Sequence, residues 1–234
     1  MAGEKIETLT TPSIGAMFSS IAHRYDLLNH ILSLGLDYGW RKRAAKRIKV
    51  QGKGRVLDLA CGTGDMIRIA LKGNPYIRQV AGADISYEML KLARRKVKGL
   101  PVHLLLARAE ELPFKDGSFS SITVAFGLRN FEDRLRALAE MHRVLEEGGR
   151  AVILEFSRPQ NRLFRAIYRF YLYRILPKVA GLFSREEAYI YLSLSIGKFP
   201  RPEEVGHLLG MAGFKGVSLR PLTWGTVTLY RGSK

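Results

Sequence analysis

The chain has 234 residues, 47% hydrophobic and 25% charged, enough for one α/β domain with a full core. Its single cysteine, Cys61, excludes an internal disulfide and a cysteine-rich metal site, so no metal is expected and a reducing compartment fits. The 38 basic residues against 21 acidic, net +17, point to an anionic partner: a membrane face, a nucleic acid or an acidic substrate.

Met1 to Pro12 reads as a loose tail without a signal-peptide apolar block, and no uncharged apolar run reaches spanning length. A cytoplasmic protein is expected. From Pro12, Ile14, Met17, Phe18, Ile21, Tyr25, Leu28 and Leu32 recur at helical spacing, and Ser33-Leu34-Gly35 breaks the pattern. A second helix, Tyr38 to Ile48, sets Trp40, Ala44, Ala45 and Ile48 on one side and Arg41, Lys42, Arg43, Lys46 and Arg47 on a basic one. Two helices ahead of a glycine-rich unit suit a roof over its pocket.

Val56 and Leu57 then read as the end of a buried strand, and Asp65 to Leu71 as a helix closed by Gly73. Gln79–Asp84 is a second strand, Ser86–Lys98 a helix, Val102–Ala107 a strand and Asp116-Gly117 a turn. Ser120–Phe126 is a strand, Glu132–Leu145 a helix ended by Gly148-Gly149, and Arg150–Phe156 a fifth strand. The alternation predicts a parallel sheet with right-handed crossovers. From 158 to 183 six basic residues and many aromatics occur without an acidic one, and a further helix runs from Arg185 to Ile196; both read as a helical lid inserted between strands. A helix from Glu203 to Met211, then strands Phe214–Arg220 and Leu222–Tyr230 split only by Pro221, predict an antiparallel hairpin. A parallel sheet whose last strands form a hairpin resembles the common methyltransferase fold, which implies one α/β domain of Rossmann-like class I methyltransferase type with a mostly parallel seven-stranded sheet. Its parts are a cap (1–50), a cofactor-binding core (51–157), a lid (158–200) and a terminal helix and hairpin (201–234).

The core centres on Asp58-Leu59-Ala60-Cys61-Gly62-Thr63-Gly64-Asp65, a strand end, a tight glycine turn and a helix start. Its plainer alternative is an ordinary βα turn. A dinucleotide fingerprint needs a third glycine three residues after Gly64, where Ile67 stands, and Asp65 in the first helical turn repels phosphate. S-adenosylmethionine therefore fits better than NAD. Asp84, about 20 residues on, is placed to take both ribose hydroxyls, while Ser86 suits the cap of the next helix. Cys61 is a small loop side chain rather than a nucleophile.

Several stretches, spanning Phe18 to Lys234, together resemble the quinone-biosynthesis C-methyltransferases that act on demethylmenaquinol or on the 2-polyprenyl-6-methoxy-1,4-benzoquinol precursor of ubiquinone. They are Tyr25-Asp26 with Asn29 and Ser33, Trp40-Arg41, the Asp58–Asp65 loop, and Asp84-Ile85 with Met89-Leu90. Ala109-Glu110-Glu111-Leu112-Pro113-Phe114 follows, then Phe126-Gly127-Leu128-Arg129-Asn130, which is the most distinctive. Arg143-Val144-Leu145, Gly148-Gly149, Leu154-Glu155-Phe156-Ser157, Tyr189, Tyr191-Leu192, Ser195-Ile196, Phe199-Pro200, Leu222-Thr223 and Gly225 complete the set. Departures are Leu28 for methionine, Ala60-Cys61 for a glycine-richer start, Glu146-Glu147 for Lys-Pro and Tyr230 for a histidine.

The resemblance implies S-adenosylmethionine contacts at Thr63, Asp84, Arg108 and Ala109, with Ala125 near the pocket; Asp58, Gly62, Gly64 and Ile85 complete the expected cofactor set. The plainer reading of Arg108 is a solvated loop arginine. The expected acceptor is a prenylated quinol. Methylating its ring carbon requires the reduced ring, loss or sharing of a phenolic proton, and in-line placement at roughly 3–3.5 Å. Catalytic candidates are Tyr25 and Asp26 (Asp26 as base), with Asn29 and the weaker His30, on the first helix, and Arg129 and Asn130 after the fourth strand. Arg129 is expected to stabilise phenolate charge or hold a water; its alternative is an ion pair with Glu155, Asp26 or Glu132. Glu155 and Ser157 end the fifth strand, as ligand contacts or as structural support. The basic, aromatic lid suits an anionic leaflet, so peripheral association with the cytoplasmic membrane face is expected and nucleic acid is not. A generally basic proteome is the bland alternative. A homo-oligomer, ring class and prenyl length stay open, as do a different lipid or phenolic acceptor and an RNA methyltransferase.

Overall fold

The computed structural model describes residues 35–171 and 194–234, with Ser19, His30, Ser33, Arg174 and Tyr191. The first expected helix, with Tyr25, Asp26 and Asn29, and much of the second lid helix lie outside the described residues.

Helix α1 (Leu36–Ala45) leads into β1 (Arg55–Leu59), α2 (Asp65–Gly73), β2 (Gln79–Asp84), α3 (Tyr87–Lys96) and β3 (Val102–Leu106). Then come β4 (Phe119–Ala125), a 3₁₀ turn (Leu128–Asn130), α4 (Arg134–Val144) and β5 (Leu145–Phe156). Helices α5 (Arg162–Phe170) and α6 (Pro202–Met211) precede β6 (Lys215–Leu222), a second 3₁₀ turn (Thr223–Gly225) and β7 (Val227–Ser233). The strands form one sheet in the order β3-β2-β1-β4-β5-β7-β6. The first five are parallel and β7 is antiparallel to both neighbours. The expected architecture is present, and its strand order reverses between β1 and β4, where open α/β sheets hold ligands.

Central strands buried on both faces explain the near-continuous apolar runs. Where β4 carries polar side chains they are satisfied: Ser120 Oγ donates to the Arg55 carbonyl at 2.8 Å and Ser121 Oγ to that of Lys49 at 2.7 Å. One face of the sheet is covered by α4 and α6 through Leu138, Met141, Val205 and Leu209. The other is covered by α1, α2 and α3 through Trp40, Ala44, Met66, Ile67 and Leu90. Ser86 caps α3 as expected, its Oγ accepting from the Met89 amide at 3.3 Å.

Three expectations change. Arg41 does not join the basic face of α1; it is buried, ion-paired with Asp37 and 5.0 Å from the centroid of Phe126. Helical spacing sets Arg41 beside Ala44 and Ala45 and four residues after Asp37; the buried guanidinium is accommodated there by Asp37 and the Phe126 ring. The helix before Gly148-Gly149 ends at Val144, and β5 already begins at Leu145 with a register shift opposite β4. The hairpin turns at Thr223–Gly225 rather than at Pro221, which sits inside β6, an edge strand where a missing amide is tolerated.

Gly82 shows how tightly the second layer is packed. A Cβ there would stand 2.7 Å from Leu104 Cδ2 and 2.8 Å from Ile67 Cδ1. Gly82→Ala should therefore cost about 1–3 kcal/mol by overpacking. A urea midpoint equal to that of the parent would refute this close approach of α2, β2 and β3.

Candidate active site

At the C-terminal ends of β1, β2 and β4 lies a cavity open to solvent, with about 660 Å³ of free space counted out into the solvent. Leu59, Ala60 and Gly62 form one wall, Asp84, Ile85 and Met89 the second, Ala107, Ala109 and Glu110 the third, and Ala125, Phe126, Gly127, Asn130 and Phe131 the fourth. The turn after β1 needs positive φ at Ala60 (53°), Gly62 (53°) and Gly64 (87°). Ala60 bears this strain where a glycine would not, at roughly 1–2 kcal/mol. Phe126, with φ of 64°, bears it in the facing wall. The two walls meet at Gly127, where a Cβ would come within 2.5 Å of Ala60 Cβ.

Asp84 ties the turn down. One carboxylate oxygen accepts from the Gly62 amide and the other from the Ser86 amide, both at 2.8 Å. Burial pushes Asp84 above its ordinary value, opposed by those amides. Behind it, fully buried Asp58 accepts from Thr123 Oγ1 at 2.5 Å, while its other oxygen has no partner among the described residues. Burial first, with a smaller contribution from the negative Asp84, pushes Asp58 up to about 7. The same surroundings raise the Cys61 thiol well above its usual range, which leaves it protonated and inert. The cavity wall holds two carboxylates and no basic side chain. It suits a ligand that is cationic or neutral and disfavours a phosphate.

The acceptor side is built on the β4–α4 connection. Arg129 is buried there, donating to Glu155 Oε1 at 2.8 Å and to the Phe126 carbonyl at 2.6 Å; its own amide donates to Glu155 Oε2 at 3.1 Å. This ion pair with Glu155 is one of the alternatives considered for Arg129. Asn130 borders the cavity, and its Oδ1 accepts from the Tyr191 hydroxyl at 2.9 Å. Burial pushes the Tyr191 hydroxyl up, so it remains a donor. Phe126 stacks near Phe156 (4.7 Å) and Trp40 (6.1 Å), giving the rim an aromatic face. Tyr230 is fully buried, and burial, then the charge of Glu155, push its hydroxyl up.

Of the expected cofactor residues, the cavity wall brings together Gly62, Asp84, Ile85, Ala109 and Ala125. Thr63 and Gly64 do not line it: Thr63 Oγ1 accepts from Lys96 Nζ at 2.8 Å, and Gly64 allows α2 to approach Ala93 and Val97. The same Lys96 pairs with Asp65 at 2.7 Å. Arg108 is half exposed and paired with Glu132 at 2.5 Å, which is the surface reading of that residue. Glu110 is a site residue for which the sequence suggested no role; its Oε1 accepts from the Glu132 amide at 2.9 Å, which ties the third wall to the start of α4. Its signal was its place in the loop that follows β3, next to Ala109. Met89, Gly127 and Phe131 also line the wall without having been singled out for it. His30 is spoken for, 2.8 Å from Asp37.

The ubiE/COQ5 methyltransferase family model matches residues 6–234. The chain belongs to that family. A Citrifermentans bemidjiense protein named ubiquinone/menaquinone biosynthesis C-methyltransferase UbiE is 48% identical over 225 residues, 94% of this chain and 96% of its own. A Thermus thermophilus protein named demethylmenaquinone methyltransferase is 46% identical over 221 residues, 93% of this chain and 100% of its own. Among solved structures, a Thermotoga maritima SAM-dependent methyltransferase, possible histamine N-methyltransferase, superposes with a TM-score of 0.67 at 22% identity, covering 94% of this chain and 99% of that one. The fold is therefore that of SAM-dependent methyltransferases.

Removing one partner of the Arg129–Glu155 pair strands the other in a dry interior. Glu155→Gln should cost about 3–5 kcal/mol in denaturant unfolding, and Arg129→Met with Glu155→Leu should recover most of it. Equal stability of parent and single variant would show that the pair does not support the site. Asp58 gives a pH signature. Its folded value, about 7, lies above the unfolded 3.8, so the native state holds a proton that the unfolded state has released between those values. The ligand-free protein should lose stability across that window as pH rises, and Asp58→Asn should flatten the loss. Melting curves in which parent and variant keep a constant separation across the window would contradict the raised value.

Proposed function

We propose that the chain methylates a ring carbon of a prenylated quinol in menaquinone or ubiquinone biosynthesis, with S-adenosylmethionine as methyl donor. The observation that carries this reading is the cavity's chemistry beside the Phe126–Asn130 turn, in a chain of the ubiE/COQ5 family. Two buried carboxylates and no basic wall suit a donor with positive charges on sulfur and nitrogen, and an aromatic rim suits a flat acceptor. The names of the relatives support the quinol, naphthoquinol or benzoquinol.

S-adenosylmethionine supplies an electrophilic methyl group when bound. Asp84 and Asp58 lie where they would balance its charge, and Gly62, Ile85, Ala109 and Ala125 would enclose it. Asp58 gains most from such a ligand, because a nearby cation restores the ionised form that burial opposes. On the acceptor side, Asn130 with the Tyr191 hydroxyl offers polar contacts to a quinol oxygen. Arg129, neutralised by Glu155 and set behind the cavity wall, would act by holding the Phe126–Asn130 turn in place. Tyr25 and Asp26 are the candidates for taking the proton, with Asp26 as base. Thr63, Gly64 and Arg108 flank the proposed donor site without lining the cavity. A quinol dissolved in lipid calls for peripheral contact with the membrane; no helix among the described residues is long and apolar enough to cross one.

Deleting the gene and profiling quinones by mass spectrometry tests the reading. A demethylated quinone should accumulate and disappear on complementation, its ring naming the acceptor. An unchanged profile would defeat the assignment.

A further inference from the structure

We propose that the outward face of α5 and the Thr223–Gly225 turn form one surface that docks on an anionic bilayer. The proposal rests on the lipid-dissolved acceptor argued above. Helix α5 is apolar on two sides. Phe164, Tyr168 and Tyr171 are half-buried, at spacings of four and three, and mark the side toward the protein. Leu163, Ala166 and Phe170 are exposed, and Leu163 and Phe170 leave 73% and 61% of their surface open. Exposed Arg162 and Arg165 flank that stripe, and no acidic residue occurs from 158 to 183. An apolar stripe edged along α5 by cations, with exposed Glu203 bound to Gln160 at the helix start, is poorly matched to water or to another basic copy of this chain, and better matched to a negative leaflet.

The Thr223–Gly225 turn supplies the second half. Trp224 is 79% exposed, and its ring centroid lies 6.0 Å from that of Phe164. Thr223 and Trp224 both have positive φ, 44° and 58°, a strained way to present a large ring to solvent. The turn is braced from below. Ser157 Oγ donates to the Gly225 carbonyl at 2.9 Å, and Trp40 Nε1 donates to Thr223 Oγ1 at 2.8 Å. Trp40 in turn packs on Phe126 in the cavity wall. A surface seated through Trp224 therefore presents the acceptor side of the site to the lipid. Amphipathic Trp rings favour the headgroup level of a bilayer.

Trp40 is buried, so an emission change on membrane contact reports Trp224. The parent protein is mixed at low salt with vesicles of equal parts phosphatidylglycerol and phosphatidylcholine. The expected result is a blue shift of emission and quenching by shallow brominated lipids. Leu163→Ser with Phe170→Ser should weaken vesicle binding about a hundredfold, with donor affinity unchanged. Vesicle binding by the parent without a Trp224 response, or with full retention by the double variant, would overturn this surface and leave the membrane reading intact. Absence of vesicle binding would overturn both. A Trp224 response to single-stranded RNA with none to vesicles would overturn the bilayer as occupant.

Discussion

The carboxylate of Asp84 is the contact on which the site depends. It ends β2, yet its two oxygens hold the amide of Gly62 after β1 and that of Ser86 before α3. Two βα turns from neighbouring strands are thereby fixed by one side chain. The buried charge is tolerated because backbone donors compensate for lost water. Without them the turn at Ala60–Gly64 would hold its positive φ angles only through the Cys61 amide on the Ala83 carbonyl and the Gly64 amide on the Cys61 carbonyl. With them, the cavity opens at the point where the strand order reverses.

A second constraint works from the opposite wall. Glu155 at the end of β5 takes both the guanidinium and the amide of Arg129, so the segment after β4 is gripped by backbone and side chain. This places Phe126 in its strained conformation and Asn130 at the cavity edge. Such pairs add little stability over an apolar filling, but they define one geometry when both members are present. The donor side is thus set by Asp84 and the acceptor side by Glu155, each from the end of a different strand.

Charge is divided in the same way. The cavity is acidic within a chain of net charge +17. Arg41 and Arg129 are buried beside carboxylates, Asp37 and Glu155, so their charge is absorbed inside. For Asp37, burial alone would raise the carboxyl; bonds from His30 and Ser33 and the charge of Arg41 outweigh it and hold it low. Much of the remaining excess is borne by side chains such as Arg162 and Arg165 on the surface.

The succession of strands and helices, the parallel sheet with its antiparallel end, and the glycine turn with Asp84 are legible in the residues alone. These are local signals: apolar runs, glycines at turns, and a cap at Ser86. The segment Phe126–Asn130 was legible as distinctive through resemblance, though its geometry was not. It took the folded sheet to show that Thr63 and Arg108 turn away from the cavity toward Lys96 and Glu132, and that Arg129 is held by Glu155. It alone brought Glu110 into the wall and put strain on Ala60 and Phe126. The physical reason is common to all of these. A side chain's partner is set by which strand ends the sheet brings together, and periodicity along one segment carries no information about that neighbour.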